Sequence, residues 1–96
     1  MTIIVSGTLH VDPAEREAFL IARLPIIAHA REAKGCLDFS LSADSLDLSR
    51  VNVYERWSSD EDLQAYRNGG GPELDDRITV AAAAVELHHI SGSEAP

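Results

Sequence analysis

Two alternating runs, CLDFSLSA at residues 36–43 and VNVYERW at residues 51–57, constrain this chain more than any other feature. Side chains on a strand point to opposite faces in turn, so alternation with period two marks a strand lying on a surface. The first run places Leu37, Phe39 and Leu41 on one face and Asp38, Ser40 and Ser42 on the other. The second places Val51, Val53, Glu55 and Trp57 together, and Asn52, Tyr54 and Arg56 opposite. The polar stretch DSLDLSR joins them as a hairpin with a long connection. Both faces of the second run carry apolar or bulky groups, whereas a sheet wetted on one side alternates more cleanly. The expectation is therefore helices on one face and a second copy of the chain on the other, a two-fold homodimer packed sheet on sheet.

The flanking segments supply the remaining elements. Thr2 to Val11 is rich in β-branched residues and reads as a strand, with Gly7 leaving room for a bulge or a close approach. Asp12 suits an N-cap, Pro13 the first helical position and Glu15 the third residue of a capping box. One helix is expected from about Pro13 to Ala33, kinked by Pro25, which has no N–H. Leu20, Leu24, Ile27, Ala28 and Arg31 would lie on its inner side, and Gly35 would end it. Ser58 with Glu61, or Ser59 with Asp62, caps a second helix running through Tyr66 and Arg67 and broken by NGGGP at residues 68–72. Another helical turn is expected over Glu73 to Ile78, and a last strand over Ala83 to Ile90. The order βαββαβ implies an α+β, ferredoxin-like arrangement: a four-stranded antiparallel sheet, both helices on one face, and the first and third strands central. One domain over residues 1–96 is expected, with its core at about 2–90 and a disordered tail at 91–96.

Charge narrows the partners. Sixteen acidic residues against eight basic ones give a net charge of -8, and the basic residues are scattered. With no basic patch to neutralise phosphates, neither nucleic acid nor an anionic membrane surface is an expected partner. The N-terminal apolar run is too short and lacks the basic start of a secretion signal. One cysteine, Cys36, cannot build a disulfide framework, which fits the cytoplasm.

The stretch GCLDFSLSADSLDLSRVNVYERWSSDEDLQAY, preceded by HAREAK, resembles the antibiotic biosynthesis monooxygenase family. The likeness spans about residues 2–90 and is most specific over 35–66. It implies a dimeric α+β barrel with a pocket between sheet and helices in each subunit. It also implies one of several activities: cofactor-independent oxygenation of aromatic polyketides, oxidation of small quinols, or haem degradation. The matched Trp57 would line the pocket. The polyketide oxygenases place an Asn four residues before that Trp, where this chain has Val53. The haem-degrading members need a His late in the second helix, where this chain reads AYRNGGG, so haem degradation is not expected.

Five residues are the candidates for the site. Trp57 would hold an aromatic ring, and Tyr66, one turn past Leu63, would donate a hydrogen bond. Glu55 shares the strand face of Trp57 and, if buried, must be paired or protonated. Arg31 is its expected partner and a second ligand contact. His88, or less readily Glu55, would move the proton. His88 and His89 point to opposite faces, and residue periodicity leaves open which one faces the pocket. No metal-site spacing and no nucleotide fingerprint occur, so no cofactor is expected. The expected function is a small cofactor-independent monooxygenase acting on an aromatic, quinol or polyketide-like substrate. The alternative is a non-catalytic dimeric module that binds a small apolar ligand.

Overall fold

A computed structural model describes residues 1–73 and 78–96. Four antiparallel strands form one sheet: β1 (Thr2–His10), β2 (Cys36–Ala43), β3 (Arg50–Trp57) and β4 (Ala82–Ile90). Their spatial order is β2-β3-β1-β4, so β1 and β3 are central and the fold is ferredoxin-like. Register assigns every side chain to a face. Ile3 pairs with Trp57, Val5 with Glu55, Gly7 with Val53 and Leu9 with Val51. These residues look toward the helices. Ile4, Ser6 and Thr8 pair with Arg56, Tyr54 and Asn52 on the helix-free face. At Gly7 (φ 155°) an added Cβ would run into the backbone of Ala84, so this glycine lets β4 lie close against β1.

The first crossover is not one kinked helix. Asp12 accepts a hydrogen bond from the Ala14 N–H and starts a short 3-10 turn, Pro13–Glu15. α1 then covers Arg16–Ala22, and α2 covers Leu24–Arg31. The break falls at Arg23, whose carbonyl accepts from Ile26 and Ile27. Proline cannot donate a backbone bond but is tolerated at the start of a helix, so Pro25 begins a new helix where a bend was expected. The buried stripe also lies about one residue off the expected inner side. Phe19, Ile27 and Ala30 are the buried residues, while Leu24 is 58% exposed and Ala28 and Arg31 face solvent.

The second crossover begins where Ser59 accepts from the Asp62 N–H, one of the two caps expected, and α3 spans Asp60–Asn68. Gly35 (φ 80°) closes the α2–β2 turn against α3, where a Cβ would meet the Asp62 carboxylate. The turn expected over Glu73 to Ile78 falls largely on 74–77, outside the described residues. β2 contains a bulge between Cys36 and Asp38. It takes Leu37 out of the alternating face, leaving it 55% exposed, while Phe39 stays buried.

Two apolar clusters hold the helices to the sheet. One joins Ile3, Val5, Ile27, Ala30, Phe39, Trp57 and Leu63. The other joins Val11, Phe19 and Val51. α2 packs on β2, and α3 packs on β1 and β3, so the helices leave β4 open. Only Leu87 and Ile90 of β4 are even partly covered. Among the described residues no helix is long and apolar enough to cross a membrane.

Candidate functional site

Glu55 is the one charged side chain on the helix side of the central strands, set between Val5 on β1 and Phe39 on β2. Burial is the largest influence on it and pushes its carboxyl above the usual range. Two effects oppose that rise: a hydrogen bond from Trp57, whose indole Nε1 donates to Glu55 Oε1 at 3.0 Å, and the positive charge of Arg67. Glu55 makes no ion pair with another described residue. The ion pairs among the described residues are His10–Asp47 and Arg50–Asp44, both near the opposite end of the sheet.

Tyr66 projects from α3 into the same cluster. Its ring centroid lies 5.0 Å from that of Trp57, 5.8 Å from His29 and 6.2 Å from Phe39. Burial raises its phenol above the ordinary value, and the charge of Glu55 raises it further. Its hydroxyl makes no hydrogen bond to another described residue, which leaves it available to a bound molecule. His29 Nε2 lies 3.2 Å from the carbonyl oxygen of Gly70. That contact ties the chain beyond α3 to α2.

Two hollows meet at Tyr66. One, of about 320 Å³, opens between α2 and α3 beside His29, Ala33, Lys34 and Ala65. The other, of about 180 Å³, lies beside Ile26, Arg67 and Pro72. Gly70 borders both, so a narrow stretch of backbone divides them over the Tyr66 ring. A roomier hollow of about 690 Å³ lies at the other end of the sheet, beside His10, Asp12 and Ser49. It has no aromatic wall, and its His10 is engaged with Asp47 at 3.5 Å. Chemistry outweighs volume here, because apolar walls with a few perturbed polar groups mark a ligand site.

Glu55, Trp57 and Tyr66 are therefore brought together, and three expectations are corrected. Trp57 is fully buried and, like Glu55, borders neither hollow; Tyr66 forms the surface that does. Arg31 does not pair with Glu55. It lies on the exposed side of α2, and its Nε donates to the Phe39 carbonyl at 2.8 Å, pinning α2 to β2. His88 pairs with Ile4 and so belongs to the helix-free face. His89, opposite Ile3, is on the helix side, and both rings are exposed. His29 and Arg67, both exposed, also border the hollows beside Tyr66. Ile26, His29, Ala30 and Ala33 make an i, i+3, i+4, i+7 stripe that the spacing alone could have shown.

The family model for antibiotic biosynthesis monooxygenases matches residues 2–71. The chain belongs to that family. The match runs from β1 through the glycines after α3 and takes in Glu55, Trp57 and Tyr66. Among solved structures, Rv0793 of Mycobacterium tuberculosis is similar at a TM-score of 0.76 and 20% identity, covering 99% of this chain and 100% of that one. The haem-degrading protein Rv3592 of the same organism, in a haem-free form, has a TM-score of 0.72 and 19% identity over 99% of this chain and 100% of its own. PA3566 of Pseudomonas aeruginosa has a TM-score of 0.72 and 18% identity over 95% and 94% of the two chains. At such identities the likeness is one of fold. No curated protein matches the chain.

Proposed function

We propose that this family member is a cofactor-independent monooxygenase that takes a small aromatic substrate, a quinol or an anthrone-like phenol, at the Tyr66 hollows. The observation that carries this reading is Glu55: a half-buried carboxylate whose proton affinity is raised by burial, with no ion-pair partner among the described residues, close enough to Tyr66 for its charge to raise that phenol, although it lines neither hollow itself. A carboxylate of that kind is a general base. It takes a proton from the activated C–H of the substrate, and Tyr66 donates a hydrogen bond to the oxygen on which the negative charge collects. The resulting carbanion reduces dioxygen and forms a C–O bond. Loss of water from the hydroperoxide leaves a carbonyl, with the second oxygen atom released in that water.

A homodimer is part of the proposal. The helix-free face presents Ile4, Tyr54 and Ile90 among small and polar groups, and β4 is exposed apart from the partly covered Leu87 and Ile90. A second copy packed sheet on sheet would cover these surfaces. A cytoplasmic setting fits the single Cys36 and the absence of any disulfide.

The second reading, a non-catalytic module for a small apolar ligand, draws support from Val53, which stands where the polyketide oxygenases carry an Asn, and from the complete burial of Trp57. Oxygen uptake with a panel of quinols and anthrones decides between the two. The monooxygenase reading expects turnover by the native chain, a loss of about 100-fold or more in Glu55→Gln and a smaller loss in Tyr66→Phe. Binding seen by Trp57 fluorescence with no oxygen uptake would establish the module.

A further inference from the structure

We infer that Trp57 is the positioning residue of Glu55, its indole N–H fixing the carboxylate, and not a wall against which substrate lies. This rests on the reading of Glu55 as proton acceptor. Three observations carry it. The indole is 0% exposed and borders neither hollow, so it has no free surface to offer a ligand. Its Nε1–H is a donor only, and a buried indole N–H needs an acceptor; it has one, Glu55 Oε1, at 3.0 Å. The two residues lie two apart on β3 and therefore on one face, so the strand itself holds donor beside acceptor.

The surroundings leave Trp57 little competition for this task. β1 contributes Val5 beside Glu55, and β2 contributes Phe39 and, farther along, the Cys36 thiol. α3 contributes Tyr66 and the cation Arg67. Arg67 is exposed, so water screens its charge. The Trp57 N–H is the only hydrogen bond that the Glu55 side chain receives from a described residue. A carboxylate fixed by one donor keeps the other oxygen free to take a proton. An ion pair with Arg31 would have engaged both oxygens and lowered the proton affinity a base requires.

The arrangement also makes the single Trp a reporter of Glu55. A hydrogen bond to a carboxylate is charge-assisted, and protonation weakens it, so the emission of Trp57 should change as Glu55 titrates.

The test needs no substrate. Glu55 is titrated by carbon-13 NMR in the native chain and in Trp57→Phe, with Glu55→Gln used to assign the signal. Trp57 emission is followed over the same pH range in the native chain and in Glu55→Gln. The expected results are a Glu55 midpoint raised by about one pH unit or more in Trp57→Phe, a ten-fold gain in proton affinity, and an emission change that follows the native Glu55 midpoint and is abolished in Glu55→Gln. Emission that stays flat while Glu55 titrates would overturn the inference even if Trp57→Phe failed to fold. So would an unmoved midpoint in a folded Trp57→Phe. If both expected results are obtained while oxygen uptake is absent, the positioning stands and the catalytic reading falls.

Discussion

The ring of Tyr66 rests against that of Trp57, with centroids 5.0 Å apart and planes inclined by 32°. Tyr66 borders the two hollows and Trp57 lies in the packed interior behind it. The two aromatics therefore differ in exposure: one borders the hollows, and the other supports it from behind. Tyr66→Phe keeps the ring contact and loses only the hydroxyl. It should shift stability by less than about 1 kcal/mol while weakening ligand binding, as thermal unfolding and fluorescence titration on the same sample would show.

Trp57→Ala should be costly. The side chain is fully buried among Ile3, Val5, Ala30, Phe39 and Leu63. Its removal leaves a cavity, and the loss should reach about 3–5 kcal/mol in urea unfolding. Acrylamide should quench native Trp57 emission poorly. Strong quenching together with a small loss of stability would mean that the indole faces water.

Arg16 is a clamp on the β2–β3 connection. Its Nη1 reaches the carbonyl oxygens of Asp47 at 2.8 Å and of Asp44 and Arg50 at 3.3 Å each. Arg16→Ala should cost about 1.5 kcal/mol, the lower end for charged hydrogen bonds because the site is partly wet. It should also speed amide exchange over residues 44–50 without altering exchange in β1.

Acid should act in two opposite ways. Asp44 is held at about 2, below its ordinary 3.8, first by the Asp47 N–H and then by Asn52 and the Leu46 N–H. Asp47 and Asp62 are lowered too, chiefly by Ser49 and by Ser58 respectively. A carboxyl lowered by folding contributes stability above its unfolded value, and that stability fades as pH falls from about 4 toward about 2. Glu55 is raised, so its contribution is present below its unfolded value of about 4.5 and is lost as pH climbs through the folded one. Glu55→Gln should then be more stable than the native chain at pH 7, with the difference shrinking as pH falls below the carboxylate range. Unfolding curves at a series of pH values check both signs.

Gly7→Val should loosen β4. Its Cβ would collide with the Ala84 backbone, and no flexible side chain is there to yield. A loss of about 3 kcal/mol or more is expected from overpacking and an unfavourable positive φ. Exchange should rise first in the β1–β4 ladder, and an unchanged ladder would show that the strands can part without cost.

The hairpin of β2 and β3 could be read from alternation, and the Ser59 cap from a spacing of three, because both are local rules. The Arg23 break could not. Kink and restart differ only in which carbonyl finds a donor, and residue spacing does not report that. The expected inner face of that helix lies about one residue out of phase, which assigns the exposed Arg31 to the interior in place of the Phe19, Ile27 and Ala30 stripe. His88 and His89 differ by one register step, which pairing with β1 decides and composition does not. Glu55, Trp57 and Tyr66 were legible as neighbours because strand parity and helix position converge on them. That Tyr66 would cover Trp57 depends on how α3 settles on the sheet.

β1 lies between β3 and β4, and both of these come from the second half of the chain. The strand that precedes residue 50 along with β1 is β2, which does not touch it in the sheet. An N-terminal fragment ending in the Asp44–Ser49 connection would thus hold two strands with no native ladder between them. The closest of these pairings, His10 with Arg50, spans forty residues, and Thr2 with Ile90 spans nearly the whole chain. High contact order of this kind slows folding, because loop-closure entropy is lost before the ladders form. Assembly must therefore wait for distant segments to meet, and a cut in the β2–β3 connection should yield halves that regain structure only when mixed.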